Sequence, residues 1–136
     1  MQRPLMLVDA DCGFCARVAE RVPALGVRVD RASVQATDLA ALGIDGDRAL
    51  REMPVVRTDG SIVWGHRAWA AILQTGPAPV RAVGLLLGSR ALDRLGRRGY
   101  ALVADHRHRL PGGSPACDPR ARQGGDAVPA RPGPRR

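Results

Sequence analysis

The residues of this chain best suited to chemistry are two cysteines, Cys12 and Cys15, separated by only two positions. An apolar run, residues 5–8, precedes them, and a helical pattern follows from Ala16. Positions i and i+3 share one helix face, so the two sulfurs can meet within a single turn. A helix N-terminus favours an anion and therefore favours a thiolate there. The spacing predicts a dithiol that exchanges with disulfides, with Cys12 as nucleophile and Cys15 as resolving thiol.

A zinc site is the main alternative for the same pair. Tetrahedral zinc takes four ligands, and the sequence has no second Cys-x-x-Cys motif. The other candidate ligands are Cys117, His66, His106 and His108. Cys117 lies in a Gly/Pro-rich stretch without the spacing of a metal knuckle. We therefore predict no metal, and two inert thiols remain the third interpretation.

Charge is distributed unevenly along the 136 residues. Residues 1–80 hold nine arginines and nine acidic residues. Residues 81–110 hold seven arginines and two acidic residues, and residues 111–136 hold five arginines and two acidic residues. The excess of arginine that gives the net charge of +8 therefore lies entirely in residues 81–136. Neither a signal-peptide pattern nor an apolar stretch of about 18 residues is present, so we expect a reducing, cytoplasmic setting. The final segment, residues 112–136, has a composition typical of disorder.

The remaining patterns predict an α/β fold. Residues 5–8 form a buried strand, a helix follows Cys12, and residues 27–30 alternate as a second, parallel strand. Residues 37–51 are helical but interrupted by glycines. Residues 53–57 and 61–64 form a hairpin around Asp59-Gly60, and a helix covers residues 66–75. This order resembles the thioredoxin fold, a central mixed sheet with flanking helices, which we assign to residues 1–78.

Pro54 provides a second point of similarity. Thioredoxin-like proteins place a cis-proline beside their active-site disulfide, at the start of the corresponding strand. The resemblance therefore predicts that Pro54 shapes the substrate groove next to the cysteines. The alternative is an ordinary trans proline at the first residue of a strand.

A basic amphipathic helix is predicted over residues 90–110, within a C-terminal extension of residues 79–111. Its apolar side holds Leu92, Leu95, Gly99, Leu102, Val103 and His106, with His106 expected in the core. Its opposite side holds Arg90, Arg94, Arg97 and Arg98. That side is a solvated surface, a contact for anionic membranes or nucleic acid, or a docking face for an acidic partner. Tyr100 is the one aromatic residue in this stretch, which argues against nucleic acid.

Side chains around the cysteines have several possible roles. Asp11 either disfavours a thiolate on Cys12 or caps the helix. Asp9, at the end of the strand, is a candidate proton acceptor for the resolving thiol. Phe14 either packs over the disulfide and contacts substrate or belongs to the core. Cys117 is a spare thiol, a third redox partner or an inert residue.

The chain resembles the DCC family of thiol-disulfide oxidoreductases over residues 4–117. The N-terminal segment 9–15, Asp-Ala-Asp-Cys-Gly-Phe-Cys, matches the family pattern Asp-Gly-Asp-Cys-x-x-Cys, with Ala10 in place of glycine. Weaker matches are Asp59-Gly60, Gly65 with Ala68, residues 100–104, residues 107–113 and Cys117. Near His66-Arg67 the family tends to carry an acidic residue that this chain lacks.

The resemblance implies a thiol-disulfide oxidoreductase of the protein-disulfide reductase type. Its redox centre is the Cys12–Cys15 disulfide, with no other cofactor. Its partners are a disulfide-containing protein or small molecule and an external thiol donor. Nucleic acid is not expected, and peripheral membrane contact stays open. The alternative is a non-catalytic module that binds metal or docks a partner through the basic helix.

Overall fold

The computed structural model describes residues 2–113, so Cys117 and the predicted disordered tail beyond residue 113 lie outside the described part. The strands are β1 (Leu5–Val8), β2 (Asp30–Ser33), β3 (Pro54–Val56) and β4 (Ile62–Trp64). The helices are α1 (Gly13–Arg21), α2 (Gly46–Arg51), α3 (Gly65–Leu73), α4 (Ala78–Leu87) and α5 (Asp93–His106), with a 3-10 turn at Val22–Leu25.

The four strands form one mixed sheet in the order β2-β1-β3-β4. The β1–β2 pair is parallel and is connected through α1, while β3 pairs antiparallel with both β1 and β4. The β3–β4 turn closes where Gly60 (φ 83°) donates its backbone N–H to the Arg57 carbonyl. A strand-helix-strand unit followed by a hairpin and a helix is the thioredoxin-like architecture that the sequence predicted.

Two hydrophobic clusters cover the two faces of this sheet. Successive strand residues point to opposite faces. Met6 and Val55 accordingly belong to the cluster packed against α1 and α3, whereas Leu7 and Val56 belong to the cluster packed against α2. Because both faces are covered, β1 reads as a continuous apolar run, as a strand buried on both sides should.

Strand β2 begins three residues later than the alternating pattern of residues 27–30 predicts. The register pairs Leu5 with Asp30, and the Asp30 N–H donates to the Pro4 carbonyl. Arg28 instead donates its backbone N–H to Oγ1 of Thr75, just after α3. The predicted strand position was therefore wrong at residues 27–29, where the Arg28 backbone is bonded to the residue that follows α3 by two positions instead of to β1.

The C-terminal extension consists of two helices that pack on α3. Gly84 of α4 lies so close that a Cβ there would meet the Ala70 carbonyl oxygen at 2.9 Å. Gly96 of α5 lies against the His66 ring. Helix α5 contains no buried residue, and His106 is exposed, with Nδ1 2.9 Å from the Leu102 carbonyl oxygen. The expectation of a core position for His106 was wrong.

Candidate active site

Cys12 is the N-cap of α1, and Cys15 lies in the first turn of that helix. The Cys12 backbone is extended (φ −90°, ψ 107°), and its Sγ accepts a hydrogen bond from the Cys15 N–H at 3.4 Å. Cys12 is fully buried, while Cys15 is half-buried. The helix starts at the motif, as predicted, but Asp11 is not its cap. A sulfur performs the capping that the sequence assigned to that carboxylate.

The two predicted accessory aspartates are held together by Gln35, which follows β2. Gln35 Nε2 donates to Asp9 Oδ1 at 2.7 Å and to Asp11 Oδ2 at 3.2 Å. Asp9 is buried, and its carbonyl accepts the Cys12 N–H at 3.3 Å. Parallel strands β1 and β2 end at the same sheet edge, which brings the three side chains together. Sequence reasoning missed Gln35, although that parallel pairing could have indicated it.

Arg107 is the second residue that the sequence did not single out for a role. It is buried just beyond the C-terminus of α5. Its Nη1 donates to Cys15 Sγ at 3.5 Å, and its Nη2 donates to the Leu50 carbonyl at 2.6 Å. A guanidinium beside a cysteine sulfur favours the thiolate over the thiol. The structure therefore gives Cys15 a cationic neighbour from the other end of the chain.

Tyr100 anchors α5 to the strand that begins at Pro54. Its hydroxyl accepts the Met53 N–H at 2.8 Å. Burial raises the pKa of the Tyr100 phenol, against the opposing effects of that hydrogen bond and of the Arg107 charge. No cis peptide bond occurs among the described residues, so the Met53–Pro54 bond is trans. Pro54 is fully buried, and Met53 takes the position on the wall of the adjoining cavity.

That cavity has a volume of about 520 Å³ and borders Cys15. Its wall is mostly apolar and comes from β1, α1, α3 and α5. Phe14, predicted to contact substrate, is part of this wall together with Val18, Trp69, Leu95 and Val103. Asp9 and Arg107 line it beside Cys15. The structure thus brings Cys15, Phe14 and Asp9 to one cavity. It leaves Cys12, Asp11 and Pro54 off the cavity wall.

Asp93, the first residue of α5, pairs with the basic side chains His66 and Arg67 at the start of α3. Its Oδ1 lies 3.1 Å from His66 Nε2 and 3.0 Å from Arg67 Nη2, and Oδ2 accepts from Arg97. Hydrogen bonding to Arg67, followed by Arg97, lowers the pKa of this carboxyl. A distant acid therefore supplies the charge that we expected at the missing acidic position near Arg67.

The end of the described chain returns to the beginning of α1. A Cβ on Gly13 would lie 2.5 Å from the Gly112 carbonyl oxygen, and a Cβ on Gly112 would lie 2.6 Å from Arg17 Cδ. The first contact, with a backbone oxygen, requires glycine at position 13, between the two cysteines. At position 112 the Arg17 side chain could move aside, but the φ of 87° favours glycine. The two contacts place residues 107–113 over the first turn of α1.

The metal interpretation finds no support among residues 2–113. No group of three or more His, Cys, Asp and Glu side chains in this part of the chain is arranged to hold an ion. Cys117, one of the ligands considered, lies outside the described residues. Among the described helices, none combines the length and apolar character needed to cross a membrane.

The sheet order and the cysteine pair at the β1–α1 junction define a thioredoxin-like protein with a thiol centre. A family model described as DCC1-like thiol-disulfide oxidoreductase matches residues 6–113. The chain belongs to this family. Comparisons with curated proteins and with solved structures gave no match.

Proposed function

We propose that the protein is a disulfide reductase in which Cys12 and Cys15 form the dithiol/disulfide centre. One observation carries the proposal: Cys12 Sγ caps α1 by accepting the Cys15 N–H, and the Arg107 guanidinium lies on Cys15 Sγ. Cys12 is disulfide-bonded in the structure. When it is reduced, each sulfur has a donor that favours its anionic form. A reducing, cytoplasmic setting is part of the proposal, because it keeps such a pair available for reduction of substrates.

The proposed reaction has two exchanges. The Cys12 thiolate attacks a substrate disulfide R–S–S–R, forming a protein–S–S–R bond and releasing one RSH after protonation. The Cys15 thiolate then attacks Cys12, which forms the Cys12–Cys15 bond and releases the second RSH. Two molecules of an external thiol reduce this bond and become a disulfide themselves. The substrate gains two electrons and two protons per turnover, and no further cofactor takes part.

Neighbouring residues have supporting roles in this proposal. Asp9, buried beside the motif and held by Gln35, accepts the proton of the resolving thiol. Asp11 shares the same glutamine and keeps the loop before Cys12 in place. Phe14 contacts the substrate from the cavity wall. Pro54 shapes the cavity indirectly, by positioning Met53 on its wall, because the proline side chain itself is fully buried.

Cys117 is proposed as an accessory thiol. It lies outside the described residues, four positions beyond Gly113. The chain passes over the start of α1 at Gly112, so a segment of five residues, about 17 Å when extended, connects that point to Cys117. Peptide mapping of oxidised protein by mass spectrometry tests this role. A bond from Cys117 to either motif cysteine supports it, and a single Cys12–Cys15 bond contradicts it.

Serine variants test the catalytic assignment. We expect Cys12→Ser to abolish reduction of glutathione disulfide, because no nucleophile remains to form the mixed disulfide. We expect Cys15→Ser to accumulate a stable adduct of one glutathione on Cys12, detected as a mass increase that a reductant removes. Cys12 is fully buried and Cys15 is half-buried, so the variant that traps the adduct identifies the attacking sulfur.

Cys117→Ser is the matched control, since it removes a thiol and leaves the motif intact. It should retain turnover. Normal turnover by the Cys12→Ser protein would contradict the proposed function. Circular dichroism of each variant separates loss of chemistry from loss of fold.

A further inference from the structure

The cavity beside Cys15 has the size of a small-molecule site. Its volume of about 520 Å³ lies within the range of roughly 300–1,000 Å³ found for ligand pockets. The wall combines β1, α1, α3 and α5 with residues such as Ala49 and Leu87 from the neighbouring helices. Because several elements line it, this half-open cavity differs from the flat face of a single helix that another protein would cover.

The apolar face of α5 forms one side of this cavity instead of joining the core. Leu92, Leu95, Gly99 and Val103 lie at positions i, i+3, i+7 and i+11, on one helix face, and all line the cavity. Leu95 remains 67% exposed and Val103 46% exposed, although α5 packs on α3 through Gly96. Exposed apolar surface of this kind marks a binding site more often than a solvated surface.

The polar groups of the wall are already bonded within the protein. Arg107 donates to Cys15 and to the Leu50 carbonyl, and the Tyr100 hydroxyl accepts the Met53 N–H. Asp9 accepts from Gln35, and His66 pairs with Asp93. A charged ligand would lose its hydration without new partners here, whereas an uncharged apolar ligand would not.

We propose that this cavity binds an uncharged, mainly apolar small molecule and holds it against Cys15. The structure thereby assigns the reductase a preference for small apolar disulfides over charged ones. The preference rests on the proposed function, whereas the binding itself does not. The overall exchange balances in the same way, with two RSH released and the protein dithiol oxidised to a disulfide. A disulfide in the cavity contacts Cys15, whereas Cys12 is buried off the wall, so the serine variants that identify the attacking sulfur also test this placement.

Gly99 allows a direct test, because it lies on the cavity wall and a Cβ there would have no heavy atom within 4 Å. Gly99→Phe fills this space without a clash and removes a helix-interior glycine, which supports folding. The probe is N-phenyl-1-naphthylamine, an uncharged fluorophore that brightens in apolar surroundings. We expect saturable binding to the wild-type chain and a dissociation constant about tenfold higher in Gly99→Phe, equivalent to about 1.4 kcal/mol.

Arg98→Phe is the matched control, since it adds the same ring one residue earlier, at an exposed position outside the cavity wall. Arg98→Phe should bind the probe with the wild-type dissociation constant. Gly99→Ala should have a dissociation constant between those of the wild type and Gly99→Phe. Equal affinities for Gly99→Phe and Arg98→Phe would overturn the proposal. Exclusion of the probe together with a dimeric mass by light scattering would assign the cavity to a second copy, which also overturns it.

A second arm separates this inference from the proposed function. Reduction of uncharged 4,4′-dithiodipyridine is compared with that of 6,6′-dithiodinicotinate, a dicarboxylate of the same class. We expect Gly99→Phe to lower kcat/KM for the uncharged disulfide about tenfold and to leave the charged one nearly unchanged. Equal losses for both disulfides would overturn the preference. Reduction of neither by the wild type contradicts the redox function, while probe binding would still support the cavity.

Discussion

Arg107 is the residue whose position adds most to the chemistry of the cysteine pair. Its side chain is buried and bridges Cys15 Sγ and the Leu50 carbonyl, so the charge is fixed in place. Burying a cation is costly unless negative charge lies near it, and a thiolate at Cys15 would add negative charge beside Arg107. Arg107 therefore acts as a positioning residue that couples the end of α5 to the protonation of the motif.

Replacing Arg107 by methionine should raise the pH at which Cys15 becomes reactive. Removal of an adjacent cation disfavours the thiolate, so we expect the midpoint of the pH dependence of iodoacetamide alkylation to rise by about one unit. The measurement uses a Cys12→Ser, Cys117→Ser background, in which Cys15 is the remaining cysteine. Arg107→Lys keeps the charge and should restore part of the shift.

Arg109→Met is the control, because Arg109 is exposed and two residues away. It should leave the alkylation midpoint unchanged. The same midpoint in Arg107→Met and in the parent protein would show that the guanidinium does not influence Cys15. Thermal unfolding of each variant measures how much stability is lost with the hydrogen bond to the Leu50 carbonyl, so that this loss is kept apart from the effect on Cys15.

The cysteine pair and Arg107 also show how far residue-level prediction extends. Cys12 and Cys15 lie three positions apart, so local helix geometry was sufficient to predict their proximity. Arg107 contacts Cys15 from 92 positions away, and nothing in the local sequence distinguishes it from 20 other arginines. Its role depends on how α5 packs, which is decided by the whole fold.

At the scale of elements, the contact between α1 and residues 107–113 depends on a missing side chain. Gly13 leaves room for the Gly112 carbonyl, which a Cβ would approach to 2.5 Å. The oxygen belongs to the backbone and the Cβ is attached directly to Cα, so neither atom can rotate away. Packing against Gly112 therefore favours glycine at position 13, between the two cysteines.

Gly13→Ala should displace residues 107–113 and weaken the hold of Arg107 on Cys15. We expect a loss of about 1–3 kcal/mol in the free energy of unfolding, typical of overpacking, although alanine is the better helix former. Urea denaturation measures it. The control is Gly46→Ala, also at the first position of a helix, where the new Cβ would meet Leu39 at an ordinary 3.6 Å. Equal stability of the two variants would argue that the contact with Gly112 yields easily.

Most elements were predictable because their signals are local. The apolar run of β1 and the Asp-Gly turn between β3 and β4 are visible in the sequence. The helix predicted over residues 37–51 was wrong for residues 37–45, which form turns, and right for Gly46–Arg51. The start of β2 was not predictable. The alternation at residues 27–29 is typical of a strand, but the sheet pairing begins at Asp30, because the Arg28 N–H is bonded to Thr75. The apolar face of α5 was recognised, but whether it lines a cavity or a core depends on tertiary packing.

For the molecule as a whole, Tyr100 connects the extension to the sheet and gives stability a pH dependence. An unfolded tyrosine ionises near pH 10, whereas burial raises the pKa of Tyr100 above that value. The folded state then holds a proton that the unfolded state has lost. Stability is complete below about pH 10 and declines as the pH rises towards the folded-state pKa.

This decline can be measured cleanly, because the chain has a single tyrosine and no lysine. We expect the melting temperature to fall above about pH 10, and the phenolate absorbance to increase only as the protein unfolds. Tyr100→Phe should lose about 1 kcal/mol at neutral pH, because the Met53 N–H loses its acceptor, and should show a weaker alkaline decline. A phenolate signal near pH 10 in fully folded protein would contradict burial as the cause.

The return of residues 107–113 to the start of α1 also has a consequence for the newborn chain. Ribosomes add roughly 5–20 residues per second, so the 92 residues between Cys15 and Arg107 take roughly 5–18 seconds to synthesise. During that interval the cation and the wall formed by α5 do not yet exist. The dithiol is thus made early and its site is completed late, and until then the oxidation state of its two sulfurs depends on the redox buffer around the chain.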